Sequence, residues 1–202
     1  MWGGGSLGEV NFSEWGTGLL LCAVFIVSLI ESLAVVGLLV PGVGLLLALT
    51  LAAAAGDIPL WLWVSCGTAG AFLGDGISFL LGQRAGPAVH GWRFFQRHPH
   101  WLTRGEVFFQ RWGIWSIMTG RFIGPIRPVV PLVAGAMRMS PRQFWIANTI
   151  SSPAWGVAYL ATMYWLGEAF RDAFDLPVVA ALLATATCVA LLISVLINRR
   201  HG

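Results

Sequence analysis

The chain has 202 residues, 57% of them hydrophobic and only 10% charged, with a mean hydropathy of +0.76 and a formal net charge of +3. Soluble domains carry about 25% charged residues, so the polar surface needed in water is missing; disorder, a disulfide scaffold and a soluble nucleic-acid binder are excluded, and the composition is that of an integral membrane protein. All twelve basic residues are arginine, which excludes a lysine Schiff base and a P-loop.

The first 18 residues hold Glu9 and Glu14 and no basic residue, unlike the positive start of a signal peptide. Leu19 to Ala55 follows with Glu31 as its only charge. As one helix it would be roughly 55 Å long, against a hydrocarbon core of roughly 30 Å. It must fold back, and Pro41-Gly42 is the expected break, giving either two short spans or a re-entrant hairpin. A second apolar stretch, 58–82, opens with Pro59, Trp61 and Trp63 and is interrupted by Asp75. The segment 83–104 reads as a basic loop, with Arg84, Arg93, Arg97 and Arg104 and no acid. A second broken apolar segment, 107–137, contains Arg111, Arg121 and Arg127 together with Pro125, Pro128 and Pro131. Spans at 143–166 and 177–197 complete the chain, the last without a charge. The cysteines Cys22, Cys66 and Cys188 lie far apart without metal-ligand spacing and are expected to be reduced and buried.

Basic residues near span ends mark the cytoplasmic side. This places 83–104, Arg138, Arg142 and the C-terminal Arg199 and Arg200 inside, and Asp57, Glu168, Asp172, Asp175 and the acidic N-terminus outside. The first broken segment then enters and leaves from outside, the second from inside, and each is followed by a full span. The fold class expected is an all-α integral membrane protein, one domain over 1–202, with two opposed re-entrant hairpins plus transmembrane helices in an inverted repeat. Such paired interruptions point to a binding site near mid-membrane in transporters.

Glu31, Asp75, Arg121 and Arg127 are the residues out of place, since an ionised side chain at mid-bilayer costs about 2.5–3.5 kcal/mol on insertion scales. Prolines and glycines beside them free backbone groups that are tolerated only against protein or a wet cavity. Two guanidinium groups with free N–H donors suit phosphate or another anion, and arginine binds it through a planar fork while keeping its charge. Glu31 is a candidate proton site, because desolvation favours the neutral form of a carboxyl group, or a competitor with the anion for the arginines. It also reads as a salt-bridge partner of one arginine. Asp75 reads as a structural, site-supporting group that hydrogen-bonds a neighbouring helix. For Arg121 and Arg127 the bland alternative is snorkelling to the interface, against which stands the helix-breaking Pro/Gly pattern. His98 and His100 read as a solvated loop rather than a metal pair, and Trp61, Trp63, Trp92, Trp101, Trp145 and Trp165 as an interfacial belt.

Glu31 followed by Pro41-Gly42, the run Gly74-Asp75-Gly76 to Phe79 and Gly82, and the run Gly120-Arg121-Phe122-Ile123-Gly124-Pro125-Ile126-Arg127-Pro128 to Pro131 and Gly135 resemble the DedA family, related to the VTT (SNARE-associated) domain proteins. The resemblance runs from about Glu31 to Gly167. It implies opposed re-entrant hairpins, a multi-pass location in the bacterial inner membrane, and transport of undecaprenyl phosphate or phospholipid between leaflets, often linked to protons. The family's embedded acid and two arginines fall on Glu31, Arg121 and Arg127. Many relatives carry an acid after the Pro-Gly, where this chain has Val43, and Tyr where it has Phe79; Glu31 is left as the main proton candidate.

The expected function is therefore a flippase-like lipid transporter. Its substrate-binding residues are Arg121, Arg127, Glu31, Pro41, Gly42, Pro125, Pro128 and Pro131, its partner an anionic phosphate headgroup, and it needs no cofactor, metal or nucleic acid. Protons and a second copy of the chain are further candidate partners. A proton-coupled small-ion or drug transporter is the alternative. A membrane lipid phosphatase ranks lower, because His90, His98, His100 and His201 lie in the loop or tail and catalysis would need such a group near the phosphate.

Overall fold

The computed structural model describes residues 12–34, 36–39, 42–123 and 127–169. Pro41, Pro125 and the expected span 177–197 lie outside these residues. Among the described residues every regular element is helical. Helix α1 (Phe12–Ser32) is followed by a single turn, α2 (Val36–Leu39), and by α3 (Gly42–Ala55). The long α4 (Leu60–Ala85) leads through a 3₁₀ helix (Gly86–Gly91) and the short α5 (Arg93–Arg97) into α6 (Pro99–Trp112). Helices α7 (Ile114–Gly120) and α8 (Val129–Ala136) flank the second interruption; α9 (Pro141–Trp155) then runs through a π turn (Gly156–Ala161) into α10 (Thr162–Ala169).

The helix boundaries have local causes. Ser140 caps α9 by accepting from the Gln143 N–H at 3.3 Å, and Pro141 follows at the first helical position, where no N–H is needed. Gly113, at φ +51°, separates α6 from α7; glycine enters this left-handed region without a steric penalty. Pro153 lies inside α9 and removes one ladder hydrogen bond shortly before the π turn. The segment 83–104, expected as a loop, is largely helical: its apolar residues Val89, Phe95 and Leu102 are buried against α8 residues Val129, Leu132 and Val133, and this burial outweighs the polar composition.

Helix α4 is the central element, packed against α1, α8, α9 and the π turn. Its small residues let neighbouring backbones approach, the usual means of helix association where no hydrophobic drive operates. A Cβ at Gly70 would overlap the Phe25 carbonyl of α1, and one at Gly82 the Leu132 carbonyl of α8. The α8 residue Gly135 meets the Phe79 carbonyl in the same way. Next to this contact Phe79 stacks on Phe144 of α9, with ring centroids 3.9 Å apart.

Beside its apolar core the chain exposes large apolar side chains and buries charged and polar ones, unlike a protein dissolved in water. Leu73, Ile77, Leu80 and Leu81 on α4, and Ile146, Ile150 and Val157 on α9 and the π turn, are exposed, whereas Ser28, Glu31, Ser32, Asp75, Ser78, Arg121, Arg127, Asn148 and Ser152 are buried. An exposed apolar surface on this scale is what lipid requires. Among the described residues the stretch Leu60–Gly91 is long and apolar enough to cross a membrane, and Gly16–Ser32 and Gly44–Ala55 are shorter apolar helices. Trp61 and Trp165 are exposed, as expected of belt residues. Trp63 is not: it is fully buried, its Nε1–H donating to Thr50 at 3.1 Å, because α3 offers it a hydroxyl partner. Cys22 is likewise exposed instead of buried, and both Cys22 and Cys66 are free thiols.

Candidate functional site

Helix α1 stops at Ser32, and its open end is closed from α4. The Ser78 hydroxyl donates to the Ser32 carbonyl at 3.1 Å and accepts from the Ala34 N–H at 3.0 Å, so one side chain satisfies a freed acceptor and a freed donor. Glu31 is thereby held at the interruption. Gly42, at the start of α3, lies directly over it: a Cβ there would sit 2.8 Å from Glu31 Cγ and 2.9 Å from its Cδ. A Cβ at Gly37 of α2 would overlap the Glu31 carbonyl and come within 3.2 Å of the Pro128 Cβ. The two interruptions therefore meet.

The second interruption carries the arginines. Arg121 ends α7 and Arg127 precedes α8. Pro128 is the N-cap of α8 and Pro131 lies in its first turn, where a missing N–H costs no helical bond. Both guanidinium groups are directed inward: Arg121 is 4% and Arg127 7% exposed, which removes the snorkelling alternative. Arg127 Nη1 pairs with Glu31 Oε1 at 3.1 Å, and its Nη2 donates to the Ser32 hydroxyl at 3.2 Å. The guanidinium also lies 4.1 Å from the Trp155 ring centroid, a cation–π contact strengthened by desolvation. Arg121 Nη2 is ion-paired to Asp75 Oδ2 and donates to Asn148 Oδ1 at 2.7 Å.

The four charges form one assembly. Ser32 approaches Asp75 as well as Arg127, and Arg127 is within electrostatic reach of Asp75 and Arg121. With all four groups ionised the charge is zero, the balance a buried ionic cluster requires. Hydrogen-bonding capacity is left over nonetheless. Among the described residues, Arg121 Nε and Nη1, Arg127 Nε, Glu31 Oε2, Asp75 Oδ1 and Trp155 Nε1 are buried and find no hydrogen-bond partner. The arrangement can thus accept an oxyanion through charged N–H donors, provided a carboxylate yields its place or its charge.

Of the site residues expected from sequence, Glu31, Gly42, Asp75, Arg121, Arg127 and Pro128 come together here, and Pro131 is buried in the first turn of α8. Asp75 is tied directly to Arg121, a closer role than a hydrogen bond to a neighbouring helix. Sequence reasoning missed Ser32, Ser78, Asn148, Ser152 and Trp155. A signal existed for the last three: Asn148, Ser152 and Trp155 recur at four- and three-residue intervals in an apolar span, which is one helix face.

A VTT domain model matches residues 40–165. The chain is 35% identical over 149 residues to the inner membrane protein YabI of Escherichia coli, covering 74% of this chain and 59% of that protein. It is 36% identical over 142 residues to an uncharacterized membrane protein of Buchnera aphidicola, covering 69% of this chain and 54% of the relative. An uncharacterized membrane protein of Mycobacterium leprae is 33% identical over 133 residues, covering 64% of this chain and 59% of its own length. The chain spans less than two thirds of the length of each of these relatives. No solved structure matches it. With its apolar exterior, its buried charges and a domain match over most of its length, this chain belongs to the VTT-domain (DedA) family of membrane proteins.

Proposed function

We propose that the chain is a flippase-like transporter that moves a phosphate-bearing lipid, such as undecaprenyl phosphate or a phospholipid, across the bacterial inner membrane. The observation that carries this reading is the pair of buried guanidinium groups whose N–H donors at Arg121 Nε and Nη1 and Arg127 Nε find no partner among the described residues. A lipid phosphate supplies the oxygens those donors lack, while its chains stay among the exposed apolar residues of α4 and α9. In this reading 19–55 and 107–137 are opposed re-entrant hairpins related by an inverted repeat, and 83–104 and the C-terminus face the cytoplasm.

Glu31 acts as an internal competitor. Its carboxylate occupies the edge of Arg127 that a phosphate would use, so the headgroup enters when Glu31 takes up a proton or is displaced, and leaves when the Glu31–Arg127 pair closes again. Asp75 stays on Arg121 throughout, since it is the more deeply buried acid and that arginine is also held by Asn148. A cationic substrate would have to displace both guanidinium groups from their carboxylates, which disfavours cation or drug export. The described histidines, His90, His98 and His100, lie on or beside the 3₁₀ helix, α5 and α6, which favours transport over phosphate-ester hydrolysis.

Reconstituted vesicles with a headgroup-labelled lipid phosphate test this reading. Translocation is expected with the wild type and not with Arg121→Ala or Arg127→Ala. Equal translocation by all three would refute a phosphate site built on these side chains.

A further inference from the structure

Asn148 is fully buried on α9, and among the described residues its side chain makes three hydrogen bonds. Its Nδ2 donates to the Phe72 carbonyl of α4 at 3.1 Å, and its Oδ1 accepts from Arg121 Nη2 at 2.7 Å and from the Ser152 hydroxyl at 3.0 Å. A carbonyl can only accept and a guanidinium can only donate, so these partners fix which end of the amide faces which. Arg121 Nη2 carries two hydrogens, and its two acceptors are Asp75 and Asn148. The N–H bonds of one guanidinium nitrogen lie in the plane of the group and point in different directions. Two acceptors at that atom therefore set the plane, whereas one acceptor leaves it free to swing. Among the described residues, Nε and Nη1 have no acceptor and remain as donors.

We propose that Asn148 is a positioning residue for anion binding: it locks the plane of Arg121 against the backbone of α4 so that the free Nε and Nη1 hydrogens stay aimed at the substrate phosphate. This rests on the phosphate-site reading above. The amide is suited to the task because it supplies an acceptor without a third negative charge. A carboxylate in its place would put an anion against the Phe72 carbonyl and hold Arg121 more tightly than a phosphate could overcome. An apolar residue would leave Arg121 attached to Asp75 at one point.

The test measures lipid-phosphate translocation in vesicles buffered equally on both sides, as half-saturation and maximal rate across a pH series. Asn148→Ala is expected to raise half-saturation about tenfold, the loss of one hydrogen bond to a charged group, with a smaller change in maximal rate. Asn148→Asp is the decisive variant. In its neutral form the introduced carboxyl group donates to Phe72 and accepts from Arg121, as the amide does; ionised, it does neither job without repulsion. The groups facing it are Arg121 and Asp75, with Arg127 and Glu31 beyond them. The ratio of variant to wild-type activity is therefore expected to approach one at low pH and to fall as pH rises. A ratio independent of pH, whether near one or near zero, overturns the proposal, as does an Asn148→Ala protein with unchanged half-saturation. Arg121→Ala in the same assay separates the two readings: if it transports normally, the phosphate site itself fails; if it does not and Asn148→Asp behaves as wild type, only the positioning role fails.

Discussion

Arg127 offers a way to separate what the ionic cluster does for stability from what it does for function. In Arg127→Ala, Glu31 loses the contact at 3.1 Å, Ser32 the one at 3.2 Å, and Trp155 the guanidinium at 4.1 Å. The side chains of Arg127 and Glu31 are only 7% and 9% exposed, so the orphaned carboxylate cannot turn to solvent. Breaking a buried pair from one side costs about 3–5 kcal/mol, most of it the uncompensated charge. For a chain of this size that is a fall in melting temperature of roughly 10 °C. Adding Glu31→Gln removes the unpaired charge at nearly constant volume, and at least half of the loss should return. Thermal unfolding in detergent, followed by circular dichroism for the wild type, both single variants and the double variant, reads the cycle directly. Translocation is expected to stay absent in the double variant although its stability has recovered. A double variant no more stable than Arg127→Ala would show that Glu31 is not the buried counter-charge of Arg127.

Two further outcomes follow from the geometry. Glu31→Gln alone should bind a lipid phosphate more tightly, with half-saturation lowered several-fold because the internal competitor is gone, yet turn over more slowly because nothing expels the headgroup; weaker binding would contradict the competitor role. Gly135→Val should abolish folded protein, since its Cβ overlaps the Phe79 carbonyl at the crossing of α4 and α8, while the same change at Gly91, where a Cβ meets nothing within 4 Å, should leave melting unchanged.

What the sequence reveals about this fold depends on which physical signal each feature leaves. The charges Glu31, Asp75, Arg121 and Arg127 are conspicuous because an apolar stretch gives them no reason to be there, and they do meet. The sequence could not say how they pair. Which arginine faces which acid is decided by how α8 packs on α4 and how the turns beside α7 and α8 meet the end of α1, a tertiary arrangement that leaves no periodic trace. Ser78 was hidden for another reason: a serine in a membrane helix can bond its own carbonyls, and its use as a cap for the broken end of α1 becomes visible only when the two helices are side by side. The segment 83–104 misled because its arginines suggest solvent, while every few residues an apolar side chain turns back onto α8. Trp63 misled because tryptophan is common at interfaces, whereas here Thr50 satisfies its indole nitrogen inside the bundle.

The cluster has a bearing on how the chain enters the membrane. Its two acids come from α1 and α4 and its two bases from the turns around α7 and α8, so neither half of the polypeptide contains a neutral share of the cluster by itself. In the topology proposed above, the first half waits in the bilayer with two carboxyl groups unmatched until the second is synthesised, each charge being worth about 2.5–3.5 kcal/mol against insertion. On that topology biogenesis ends in a late handshake between the halves, and an N-terminal fragment ending before Ile114 is expected to be poorly retained and rapidly degraded unless the complementary fragment is made beside it.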